Sequence, residues 1–96
     1  MNQPIQRPIQ WIDVHAHLEM LETDADETLK LASANGVNHM ITIGTHPDDN
    51  KKVLALSEKY FPQVACTLGI HPHESKHYTD EVEATMKSQL PLPHVV

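Results

Sequence analysis

Ile12-Asp13-Val14-His15-Ala16-His17 is the stretch that decides the reading of this 96-residue chain. Its alternating character predicts a β-strand, whose side chains point to opposite faces in turn. On that alternation Asp13, His15 and His17 face one way. Ile12, Val14 and Ala16 face the other way, towards covering helices. Two imidazoles at i and i+2 can converge on one cation, and histidine suits zinc, manganese, iron and similar ions. The pair also stands at the C-terminal end of the first strand, where the active sites of (β/α) barrels lie. A His-x-His alone is weak evidence; a carboxylate on the same face strengthens it. Asp13 has two readings, an acceptor that orients one imidazole or a half-solvated carboxylate at the strand's start.

Strand-then-helix units follow outward from this segment. A first helix begins after Thr23, an N-cap residue with Asp26 at the capping-box position. It carries Leu29 and Ala32 on one face and ends at Asn35-Gly36. Val37 to Gly44 reads as strand two. His46-Pro47-Asp48-Asp49 opens helix two, with proline and acids where a first turn favours them. Val53, Leu56 and Tyr60 form its apolar stripe, and Pro62 stops it. Strand three spans Val64 to Ile70. Thr79 or Asp80 caps helix three, which places Val82, Met86 and Leu90 on one face before Pro91 and Pro93 break it. Val95-Val96 opens a fourth strand.

Strands alternating with helices imply a parallel sheet, and right-handed crossovers put the helices on one side of it. The expected class is α/β: a partial (β/α) TIM-type barrel of about three βα units plus the start of a fourth strand. Residues 1–10 read as a polar N-terminal leader. Residues 11–96 read as the N-terminal part of a barrel, because the complete fold takes about 250 residues.

A second constellation, Gly69-Ile70-His71-Pro72-His73, ends strand three. His71 and His73 share parity. Pro72 fixes the backbone where the strand turns into its loop, and Gly69 permits close approach of a ligand or a neighbouring backbone. The pair reads as lining the same rim, contacting a substrate phosphate or relaying protons; the bland alternative is a rigid loop with exposed imidazoles. Thr45 and His46 at the end of strand two are substrate contacts or helix caps. His39 and His77 read as surface residues, and Cys66 as a small core residue with nothing nearby to activate its thiol. Glu19, Glu22 and Asp24 read as solvating the loop and helix start.

Composition bounds the function. The net charge is -6, with eight histidines. A protein that grips duplex DNA by its phosphates carries a basic face; this one shows none, so a phosphate substrate needs bound metal as its source of positive charge. One cysteine allows no intrachain disulfide, which suits a reducing cytoplasm. The N-terminus has no basic and apolar signal pattern, and no apolar run is long enough for a membrane span. P-loop, GxGxxG, GxSxG and zinc-finger patterns are all absent.

These residues resemble a known family. Ile12 to Leu18, Ile43-Gly44-Thr45 and Gly69-Ile70-His71-Pro72-His73 are similar, in order and spacing, to the motifs of the TatD family of metal-dependent deoxyribonucleases. The resemblance implies a (β/α) barrel and a two-metal phosphodiester hydrolase of 3'-5' exonuclease type acting on DNA or another phosphodiester. It makes His15 and His17 ligands of one divalent ion (Mg, Mn or Zn). In the family a glutamate on strand four bridges the metals, and further histidines and an aspartate come from later strands. Those positions lie beyond Val96. The expectation for the 96 residues alone is therefore weak metal binding, no activity, and self-association or pairing with the C-terminal part of the barrel. Two alternatives are another amidohydrolase-like barrel acting on an amide or lactone, and a non-catalytic truncated product that acts by association.

Overall fold

The computed structural model describes residues 9–22 and 24–96. In chain order it contains β1 (Trp11–Ala16), α1 (Ala25–Ala34), β2 (Val37–Ile43), α2 (Pro47–Tyr60), β3 (Val64–Thr67) and α3 (Asp80–Gln89), with short 3₁₀ turns at Leu18–Met20 and Pro72–His77. Residues 1–8 of the expected leader, and Thr23, lie outside the described residues.

The strands form one parallel sheet in the order β1-β2-β3. A parallel bridge from Val95 to Cys66 adds the first step of a fourth strand beside β3. It is held by Val96 N–H donating to the Cys66 carbonyl at 2.9 Å and Cys66 N–H donating to the His94 carbonyl at 2.8 Å. Consecutive strands are thus neighbours joined by helices, the arrangement of repeated βα units.

Register explains the core. Met40 pairs with Val64 and Thr42 with Cys66, so these four share the helix-covered face, and all are buried. Leu18 and Leu29 pack against Met40 and Val64, with Ala16, Ala32, Val37, Leu56 and Tyr60 around them. Ile41 and Ile43 pair with Ala65 and Thr67 on the opposite face, which is only half-buried. Burying a Val, Leu or Met side chain contributes about 1.5–3 kcal/mol, so this one cluster fixes which side of the sheet the helices cover. Burial in it also pushes the Cys66 thiol above its ordinary value, in keeping with a core role.

The caps differ in detail from expectation. Asp24, not Thr23, is the N-cap of α1, its carboxylate accepting from Asp26 N–H at 3.2 Å. Gly36 closes that helix with φ of 89°, a left-handed conformation that favours glycine. Thr79 caps α3 by accepting from Val82 N–H at 3.1 Å. His46 caps α2, its Nδ1 accepting from Asp49 N–H at 3.3 Å. The Asp49 carboxylate, buried, reaches back to accept from both the N–H and the hydroxyl of Thr45 at 2.8 Å. Both residues thus take up the capping role among their two readings, Thr45 and His46 serving the start of α2.

β3 ends at Thr67 rather than Ile70. The following residues leave the sheet because other partners hold them. Gly69 N–H donates to the Asn50 side-chain oxygen at 3.2 Å, and His71 N–H donates to the Thr45 carbonyl at 2.7 Å. Buried Asn50 thereby ties α2 to the loop after β3, and its amide nitrogen also reaches Met86 Sδ of α3 at 3.6 Å. Gly44 is what admits that side chain. A Cβ at Gly44 would stand 2.1 Å from Asn50 Oδ1 and 2.8 Å from the Thr67 carbonyl oxygen. The second contact is with backbone and cannot rotate away.

Two outcomes follow. Gly44→Ala should destabilise the fold by about 1–3 kcal/mol, the usual scale of overpacking; an unchanged urea midpoint would contradict the packing described. Between α1 and α2, Tyr60 Oη donates to Asp26 Oδ1 at 2.5 Å. That bond, then desolvation, raises the phenol above its ordinary 10.0. The protonated phenol is the form the fold favours, so its stabilisation is present below pH 10 and disappears as pH rises through the raised value. In a Tyr78→Phe background, absorbance titration should show Tyr60 titrating late and Asp26→Ala returning it towards normal. A normal titration with Asp26 intact would refute the bond.

Candidate functional site

β1 departs from simple alternation at the decisive segment. Asp13 pairs with Met40 and Ala16 with Thr42. Three steps along β1 therefore match two along β2, the count of a β-bulge with one extra residue in β1. The bulge overturns part of the expected facing. Asp13 pairs with buried Met40 and lines a hollow with Ala16, His17, Leu18, Thr28 and Met40, so His17 borders the same hollow. Ile12 and Val14 do not lie under helices: they are 60% and 65% exposed. Ala16 packs against the core as expected.

Asp13 is also the cause of the bulge's stability. Its Oδ1 accepts from the main-chain N–H of His15 at 3.0 Å. An extra residue leaves an N–H without a ladder partner, and a short carboxylate two residues earlier can supply one. The structure gives this carboxylate a backbone partner rather than an imidazole.

His15 and His17 flank Ala16, the last residue of β1. Their ring centroids are 5.2 Å apart, with planes at 76°. His17 is half-buried in an informative way. Its side chain is 35% exposed, yet Nδ1 is fully buried, so the exposed part of the ring is the edge carrying Nε2. Nδ1 faces Glu19 Oε1 at 3.5 Å, and the Glu19 side chain is 1% exposed. The other carboxylate oxygen, Oε2, accepts from the Thr42 hydroxyl at 2.6 Å. That hydroxyl in turn accepts from Leu18 N–H at 3.1 Å. Glu19 is thus not a solvating loop residue, and its position beside His17 went unread in the sequence. The signal was available in principle: a single 3₁₀ turn after the strand (Leu18–Met20) folds Glu19 back over it.

His71 and His73 follow β3, on the same edge of the sheet as the end of β1. Their ring centroids are 4.8 Å apart. His71 Nδ1 accepts from His73 N–H at 3.1 Å. A neutral ring that accepts on Nδ1 carries its proton on Nε2, so His71 presents an N–H donor. His39 and His77 are exposed as expected; His39 Nδ1 meets the Pro62 carbonyl at 3.1 Å, and His77 pairs with Glu74 at 3.2 Å. Among the described residues, no three His, Cys, Asp or Glu side chains gather where they could hold one metal ion, and no helix is long and apolar enough to cross a membrane.

The bulge makes a direct prediction. Asp13→Ala should speed hydrogen exchange at the His15 amide and destabilise the chain by about 0.5–1.5 kcal/mol, the net worth of one hydrogen bond. Unchanged protection of that amide would show that the carboxylate does not hold the bulge.

Comparison with known proteins agrees with the motifs. The family model described as TatD related DNase matches residues 12–96. The chain is 35% identical over 77 residues to Cut9-interacting protein scn1 of Schizosaccharomyces pombe, covering 80% of this chain and 22% of that protein. It is 31% identical over 85 residues to the 3'-5' ssDNA/RNA exonuclease TatD of Musicola paradisiaca, covering 88% and 32%. It is 30% identical over 78 residues to Deoxyribonuclease TATDN3 of Homo sapiens, covering 79% and 28%. The chain therefore spans between about a fifth and a third of the length of these relatives. With its three motifs set at the C-terminal edge of one parallel sheet and the family model running unbroken over them, the chain belongs to the TatD related DNase family.

Proposed function

We propose that this chain forms the first part of a (β/α) barrel that hydrolyses phosphodiester bonds of single-stranded DNA or RNA with divalent metal ions, two in the complete enzyme. His15 and His17 hold one of them. The observation that carries the reading is the approach of their two rings. With ring centroids 5.2 Å apart, one divalent ion could meet a nitrogen of each ring. The exposed Nε2 edge of His17 fits it too. A tight site takes three or four protein ligands, so the remainder of the set comes from outside this pair.

Bound cations neutralise the phosphodiester and lower the pKa of a bound water. The chain's own residues do the rest. His71, with its proton held on Nε2 by the His73 N–H, donates to a phosphate oxygen, and His73 packs edge-on against it to line the same approach. A donor placed where charge develops in the transition state lowers the barrier. The ties from Thr45 and Asn50 to the loop after β3 hold His71 in place at the rim. The -6 charge of the chain is compatible with a phosphate substrate on these terms, since local cations rather than a basic surface meet it. The exposed Ile12 and Val14 then line the barrel interior.

The test is degradation of single-stranded DNA by the natural full-length protein. Chelator should abolish it, and His15→Ala with His17→Ala should lower it by more than about 100-fold, beyond the 10–100-fold typical of groups that merely support ligands. His71→Ala should lower turnover while leaving metal binding unchanged. Activity indifferent to chelator would remove the metal mechanism.

A further inference from the structure

We propose that Glu19 is a positioning residue that fixes the tautomer of His17, so that Nε2 presents a lone pair to the cation. The inference rests on the reading of His17 as a ligand and adds how the ligand is prepared.

A chain of groups with determined hydrogen-bond directions leads from the Leu18 main chain to His17 Nδ1. Leu18 N–H can only donate, and it donates to Thr42 Oγ1. Thr42 is 0% exposed, so its hydroxyl proton has no water to turn to and goes to Glu19 Oε2 at 2.6 Å. Glu19 in its carboxylate form has acceptors alone to offer. Its second oxygen, Oε1, is buried and has His17 Nδ1 as its polar neighbour. A buried acceptor facing a buried ring nitrogen is satisfied only if that nitrogen carries the proton. Nδ1 is therefore the N–H of His17, and Nε2, on the exposed edge, is the lone pair.

The separation of 3.5 Å is long for a finished hydrogen bond. A small rotation of the ring closes it, and drawing Nε2 towards a cation is one way to drive that rotation. A carboxylate on the far nitrogen of a ligating imidazole fixes the ring and raises its basicity. Of the two readings of Asp13, the one that orients an imidazole differs from this placement: Asp13 binds the backbone of His15, whereas Glu19 faces the ring of His17.

The experiment has a readout independent of activity. Long-range proton–nitrogen correlation spectra of the metal-free protein report which ring nitrogen of His17 carries its proton. The wild-type chain should show Nδ1–H. Glu19→Gln is nearly isosteric; Thr42 still donates to the amide oxygen, so an NH₂ group faces His17 Nδ1 and drives the proton to Nε2. The variant should therefore show the opposite tautomer and bind zinc about 10–100-fold more weakly. Nε2–H in the wild-type chain overturns the inference without any variant needing to fold. So does Glu19→Gln binding zinc as tightly as wild type while His15→Ala with His17→Ala loses it. Zinc binding untouched by the double alanine variant overturns the ligand reading itself.

Discussion

One hydrogen bond, from the His15 main chain to the Asp13 carboxylate, sets the geometry on which the rest of the site depends. Without it the strand would keep strict alternation, and every residue from Asp13 to His17 would have to satisfy one parity. That cannot be done here. Asp13 and Ala16 both sit in register with buried residues of β2, and they are three apart. An extra residue is the only way to bring both to the same face. The bulge leaves Ile12 and Val14 exposed and still brings the two imidazoles together at the end of the strand. Bulges gather beside active sites because they re-aim side chains. Here the re-aiming device and the imidazoles are part of one six-residue segment.

Thr42 joins this edge to the core. It is fully buried on the helix-covered face in register with Cys66, yet its hydroxyl serves the turn after β1 rather than the sheet. A buried hydroxyl is tolerable only when its hydrogen bonds are made, and its partners are the two residues that follow His17 in sequence. The apolar packing that fixes β2 against α1 and α2 thus also fixes the turn carrying Glu19. In the reading proposed for the site, ring orientation at His17 inherits the rigidity of the core through a single side chain.

Much of the fold was legible because its signals are local. Leu29 and Ala32, Val53 with Leu56 and Tyr60, and the Gly36 stop are periodicities and caps that need no tertiary knowledge, and the elements stand where they put them. The errors have a common cause. Thr23 reads as the cap of α1 and Asp24 as a solvating acid, yet Asp24, one residue on, is the cap. Strand three was drawn to Ile70 because Leu68 and Ile70 continue the apolar run, whereas Asn50 and Thr45 pull that segment out of the sheet. Ile12 and Val14 read as lying under helices because a bulge leaves no mark in a six-residue pattern; register appears only once β2 is in place. The reading of Glu19 as a solvating residue, and the silence on Asn50, have the same cause, since their partners are 23 and 19 residues away.

The two histidine pairs, alike in sequence spacing, are unlike in chemistry. His71 gives its Nδ1 lone pair to a backbone N–H and so keeps a proton on Nε2. His17 sets its Nδ1 against a buried carboxylate, which asks for a proton there. A His-x-His pattern cannot distinguish these cases, because the distinction is made by what lies against the buried nitrogen. On the proposed reading the division follows from charge: a lone pair meets the cation, an N–H meets the phosphate, and a chain of net negative charge can hold an anionic substrate between them. The neighbours that set the two states are a main-chain amide at one pair and an acid on a 3₁₀ turn at the other, so each imidazole's role is written into the backbone path that follows its strand.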